Sequence, residues 1–243
     1  MTTTAATVPA TPEAPKGLLS RIVGVFFSPR ATYADVAARP RWFGVLAISS
    51  VVIAGGFYFL LSSESGQKAL LDQQTQVIES FGVKLNDAAY DRMEQGVERA
   101  KYTTPIAQLV AIPIVSVIFA GILLGIFNAL LGGDATFKQV FAIVAHSTLI
   151  GALQNTFARP LDYVRETISS PTSLSVLFPF LEEKSFLGRL TGMLDLFQFW
   201  SILSLAIGLG VLYKRRTGPI ATTMLVIYVV IVAIIAAIRA ALS

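Results

Sequence analysis

The sequence predicts an all-α polytopic membrane protein: five transmembrane helices preceded by an N-terminal interfacial amphipathic helix. Three observations carry this. Residues 42–61, 106–131, 139–158, 196–213 and 218–238 contain no Asp, Glu, Lys or Arg. Each approaches the roughly 20 residues that cross a bilayer core at ~1.5 Å rise per residue. Hydrophobic residues make up 54% of the 243, charged residues only 14%, and mean hydropathy is +0.67; a soluble domain carries roughly 25% charge. Finally, two of the gaps between apolar stretches are very short and polar, Gly132-Gly133-Asp134 and Lys214-Arg215-Arg216, so the stretches they join must be antiparallel neighbours.

Residues 1–15 are rich in Thr, Ala and Pro and lack the basic start and apolar core of a secretory signal, so a disordered tail is expected. Residues 16–41 read as a cytoplasmic interfacial segment. Leu18, Leu19, Ile22, Val23, Phe26 and Phe27 recur at helical spacing over a stretch too short to span. The expectation is that Leu18, Leu19, Ile22, Phe26 and Phe27 lie in the interface, with Lys16 and Arg21 toward anionic headgroups. Ser28-Pro29 restarts a helix, Ser suiting the N-cap and Pro the first helical position. Trp42 is expected at headgroup level.

The membrane domain occupies residues 42–243, with spans near 42–61, 106–131, 138–158, 192–213 and 218–240. Residues 62–105 form an external polar helical insert. Leu70, Leu71, Val77, Ile78 and Phe81 suggest one amphipathic helix, and Asn86 caps a second carrying Tyr90, Met93 and Val97. A solvated connector is the preferred role for this hairpin. Pro113 is expected to kink the second span. Leu174 to Leu181 is an apolar run too short to cross, fitting an external interfacial segment.

Charge sets the sidedness. With five spans, one face collects nine Lys and Arg and the other ten, so the total does not discriminate. The compact Lys214-Arg215-Arg216 turn does, because basic clusters in short loops are retained in the cytoplasm. The N-terminus is therefore read as cytoplasmic and the C-terminus as external, in a plasma (inner) membrane.

With no cysteine, disulfides and thiolate chemistry are excluded. A single histidine, His146, leaves no pattern for a zinc site, and it is read as a neutral imidazole bonded to a neighbouring helix. No catalytic, cofactor or metal residues are expected, nor binding to nucleic acid. One polar cluster stands out. Gln108 opens the second span, Gln154 and Asn155 close the third, and Asp195 and Gln198 open the fourth, all at the outer face. They are expected to line a small vestibule, against the plainer reading of Asp195 as a helix-end acid favoured by the helix dipole. Gly121 and Gly125 in the second span, and Ser204 and Gly208 in the fourth, have the small-x-x-x-small spacing of helix packing. Internal packing is preferred to homodimerisation.

The chain also resembles the Yip1-domain family, closest to its bacterial members, over roughly residues 17–238. The resemblance rests on Phe27-Ser28-Pro29-Arg30-Ala31-Thr32-Tyr33 before the first span and Phe137 to Ser147 in the third. It rests most on Leu194-Asp195-Leu196-Phe197-Gln198-Phe199-Trp200-Ser201, with Gly208 and the basic turn following. It implies a cytoplasmic N-terminus and no defined catalytic activity. Eukaryotic relatives are linked to vesicle traffic and Rab-type GTPases, a role not carried over here. The expected function is a non-enzymatic scaffold that organises membrane or recruits partners, in contact with the bilayer, anionic headgroups and protein partners or a second copy. The alternative is a transporter or lipid-handling protein built on the vestibule around Asp195.

Overall fold

The computed structural model describes residues 16–242, and those residues are helical apart from turns and one isolated bridge. The expected tail at residues 1–15 lies outside them. A short helical pair comes first, α1 (Leu18–Phe27) and α2 (Pro29–Ala38), followed by α3 (Phe43–Leu61). The polar insert supplies α4 (Glu64–Glu79) and the start of α5 (Asp87–Leu124), which a π-helical turn prolongs through Gly125–Leu130. Then come α6 (Phe137–Arg165), a 3₁₀ turn at Leu174–Leu177, α7 (Phe186–Met193), α8 (Leu196–Leu212) and α9 (Thr217–Leu242).

Four of these helices, α3, the prolonged α5, α6 and α9, are long and apolar enough to cross a membrane. The predicted span at 192–213 is α8, whose 17 residues reach about 26 Å at ~1.5 Å each. The least hydropathic of the four is also the most enclosed: 67% of the α6 window is buried, against 11% for α9. This explains how α6 tolerates Gln139, His146, Ser147, Gln154 and Asn155. Its neighbours are protein, which can offer hydrogen bonds, where lipid cannot. The core forms around it from Val140–Ala145, Leu46 of α3, Ala120 and Leu123 of α5, and Leu205 and Leu209 of α8.

The insert departs from expectation in one respect. Asn86 caps the second helix as predicted, its side chain accepting from Ala89 N at 2.9 Å. That helix does not stop at Pro105 but runs on through Pro105 and Pro113 into the membrane as one element. A proline removes one donor and crowds the preceding turn, and 38 residues of otherwise unbroken helix outweigh that local cost. The turn ends follow the sequence more closely. Gly132 takes φ +68°, where a Cβ is disfavoured. Thr136 and Gln139 then close a reciprocal capping box at the start of α6.

The N-terminal pair forms a hairpin that stands against α6 and α8. At Gly24 the two arms are so close that a Cβ would run into Thr32 Oγ1. Near the tip, Phe26 meets Trp200 edge-on at 5.8 Å. Trp200 lies twelve residues from the Leu212 end of α8, about 18 Å along the helix at ~1.5 Å per residue. The hairpin thus reaches well along α8.

Candidate functional site

At the hairpin end, the buried charges are paired. Arg21, expected to face headgroups, is only 2% exposed. Its Nε donates to Asp35 Oδ2 at 2.8 Å, Nη2 to the Arg39 carbonyl at 3.0 Å and Nη1 to the Arg41 carbonyl at 3.4 Å. Arg39 adds a second bond to Asp35 at 3.1 Å. Helical spacing places Arg21 correctly opposite the exposed stripe, but the partner on that side is protein. Lys16 donates to Thr32 Oγ1 at 3.3 Å. Leu18, Leu19 and Phe27 do point outward. Ile22 and Phe26 instead pack on Val25, Val45 and Leu149, and Trp42 stacks obliquely on Phe141 at 4.9 Å.

Two hydrogen bonds tie the hairpin to the bundle, one of them from Gln139 Nε2 of α6 to the Ala37 carbonyl of α2 at 3.0 Å. Tyr33 and Ser204 share a buried contact of 2.7 Å, and burial of the phenol pushes the Tyr33 pKa up. Gly208, one turn on, lies so close to α6 that a Cβ would sit 2.5 Å from Ile143 Cγ2 and 3.0 Å from the Tyr33 ring. Ser204 and Gly208 are therefore the packing face the spacing suggested. Gly121 and Gly125 are not: both are exposed, with open space where a Cβ would stand. His146 is fully buried, and its Nδ1 donates to the Ala142 carbonyl of its own helix at 2.7 Å, not to a neighbouring one.

The opposite end carries a cavity of about 250 Å³, lined by Gln73, Gln154, Asn155, Arg159 and Ser170 with Gly151, Ala158 and Ile168. Of the five expected vestibule residues, Gln154 and Asn155 reach it, while Gln108 and Gln198 do not. Asp195 stands one bond behind its wall, accepting from Ser170 and from Thr172 at 2.8 Å. Its other oxygen accepts from Phe197 N at 2.8 Å and Gln198 N at 3.3 Å, making it the N-cap of α8. Gln108 and Gln198 sit elsewhere because equal depth does not fix which way a helix face turns.

Arg159 and Asp162 are the residues that sequence reasoning missed. Their i, i+3 spacing just past a charge-free stretch was the available signal. Arg159 lies over the Phe57 ring at 4.8 Å, with Nη2 3.0 Å from Asp162 Oδ2 in an ion pair whose angles are not those of a hydrogen bond. Arg159 Nε and Nη1 and Asn155 Oδ1 are buried without a hydrogen-bond partner among the described residues. The space would hold several waters or a small polar molecule met by amides and a hydroxyl. Along α6 it is closed beneath, since Ile143, Ala145, His146 and Ile150 are all 0% exposed.

Fold and site together define a multi-pass, all-helical integral membrane protein with a packed hairpin at one end and a polar recess at the other. The chain belongs to the Yip1 family: the family model described as Yip1 domain matches residues 23–239. No curated protein and no solved structure matches it. Segments that carried the resemblance converge in space, for Tyr33, Ile143 and Gly208 meet at one point between α2, α6 and α8.

Proposed function

We propose that this chain is a non-enzymatic, five-span scaffold that shapes the membrane and recruits partners, with its N-terminus in the cytoplasm. The bacterial inner membrane is the proposed location. The single observation that carries the reading is the α1–α2 hairpin, braced internally by Arg21–Asp35 and joined to the bundle by Tyr33–Ser204 and Gln139–Ala37, yet presenting Leu19, Val23 and Phe27 outward, 76%, 55% and 84% exposed. A rigid apolar hairpin on one side adds cross-section to one leaflet only, which favours curvature. The fourth of the five spans is α8, in contact with both α6 and α9.

Reconstitution tests this. Wild-type protein at increasing density should reduce the diameter of extruded vesicles seen by electron cryomicroscopy. Leu19→Glu with Phe27→Glu should abolish the effect without unfolding, because both side chains point away from the core. Unchanged vesicle size with wild-type protein would sink the shaping role. Sidedness is tested by single-cysteine labelling in this cysteine-free chain: Lys84→Cys should react from outside intact cells and Lys214→Cys only after permeabilisation.

The alternative, a lipid- or solute-handling protein, is favoured by the polar cavity and its unpartnered groups. The closed α6 face beneath it argues against a continuous path.

A further inference from the structure

Two arginines on the cavity side of the molecule approach one another through α7 and α9, and among the described residues neither has an ion-pair partner within 4.0 Å. Arg189, on α7, is 9% exposed and donates through Nε to the Lys184 carbonyl at 2.9 Å. Arg239, near the end of α9, donates through Nε to Ser80 Oγ at 2.6 Å, and its Nη1 lies 4.0 Å from Met193 Sδ. Met193 follows Arg189 by one helical turn and so shares its face of α7. Arg239 therefore reaches the face of α7 that carries Arg189. Among the described residues, every ion pair within 4.0 Å involves other residues, and the Arg189 Nη nitrogens donate to no protein group.

Holding two cations together without a counter-charge is unfavourable, and more so where water is scarce. The surroundings indicate what would relieve it. Arg239 lies 22 residues beyond Thr217, about 33 Å along α9 at ~1.5 Å per residue. An arginine at that distance stands just past a hydrocarbon core of ~30 Å, at headgroup depth. Apolar side chains flank the pair and face outward: Leu187 is 53% exposed, Ile238 46% and Leu242 50%. A charged pair at headgroup depth with apolar flanks suits a ligand that has a phosphate at one end and acyl chains at the other.

We infer that Arg189 and Arg239 form a phosphate site that takes the headgroup phosphodiester of an anionic lipid on the insert side of the membrane. Guanidinium forks match phosphate oxygens in bidentate geometry. The Ser80 hydroxyl holds Arg239 in place from the end of α4.

The test uses the full chain in neutral detergent, reading lipid retention by native mass spectrometry and thermal stability in parallel. The probes are dioleoyl phosphatidylglycerol, dioleoyl phosphatidylcholine and inorganic phosphate. Wild type should retain phosphatidylglycerol and be stabilised by it over phosphatidylcholine. Arg189→Gln and Arg239→Gln should each weaken that retention about tenfold, the loss expected for one charge-assisted contact. Arg165→Gln, an exposed cation on the same side, should not. Equal retention of phosphatidylglycerol by wild type and both variants would overturn the site. No preference between the two lipids in wild type overturns it too, and that measurement needs no variant to fold. If inorganic phosphate stabilises as well as phosphatidylglycerol, through the same arginines, the lipid assignment is overturned and the site belongs to soluble phosphate.

Discussion

The two ends of the bundle are built on opposite terms. At the hairpin end, Arg21 uses all three guanidinium nitrogens, and Asp35 is held by two arginines. At the cavity end, among the described residues, Arg159 leaves two nitrogens unbonded and Asn155 Oδ1 has no partner, and the space beside them is open. Both ends bury charge, which is costly unless every partner is supplied. The first end meets that condition within the chain. The second leaves it unmet, and unsatisfied buried polar groups are where a water or ligand is needed. The comparison teaches that the hairpin end supplies the partners of its own buried charges and is free to present its apolar face, while the cavity end keeps buried polar groups open to water or a ligand.

Three substitutions would break or sharpen this contrast, each read as a shift in the SDS-unfolding free energy of detergent-solubilised protein. The largest effect is expected from Arg21→Met. It leaves buried Asp35 with Arg39 alone and frees the Arg39 and Arg41 carbonyls, so a loss of about 3 kcal/mol is expected. A loss under about 1 kcal/mol would mean the ion cluster is dispensable and the hairpin is held by packing. Next comes Gly208→Leu, which places side-chain atoms where Ile143 and the Tyr33 ring stand. Overpacking of this kind costs about 1–3 kcal/mol, and Tyr33→Ala should restore part of it by opening space. The smallest effect belongs to the cavity end. Asn155→Leu removes an orphan acceptor at similar volume and should change stability by less than about 1 kcal/mol. A larger loss would show that Asn155 has a structural partner and that the cavity end is not spare.

What the sequence made legible was local. Apolar length located the helices, Asn86 and Asp195 announced their caps, and glycine marked the turn at Gly132. The depth of the N-terminal hairpin was not legible, because an apolar stripe reads alike whether lipid or protein covers it. Ile22 and Phe26 have the spacing of Leu19 and Phe27 but face Leu149 and Trp200. Two of the eight wall residues, Gln154 and Asn155, were visible from depth alone. The remainder depended on helix rotation and on the loop carrying Ile168 and Ser170, which no periodicity encodes. The Gly121-x-x-x-Gly125 spacing shows the same limit from the other side: the pattern is present, and its face is open.

The unbroken passage of α5 through Pro105 gives the molecule a lever arm. Nineteen residues from Asp87 to Pro105 project beyond the apolar part of this helix, about 28 Å at ~1.5 Å per residue. Spanning helices tilt to match bilayer thickness. A change of about 10° would swing the far tip of α5 sideways by roughly 5 Å. On that arm rides α4, which lends Gln73 to the cavity rim and Ser80 to Arg239. A tilt of α5 that α4 followed would thus move Gln73 and Ser80 together.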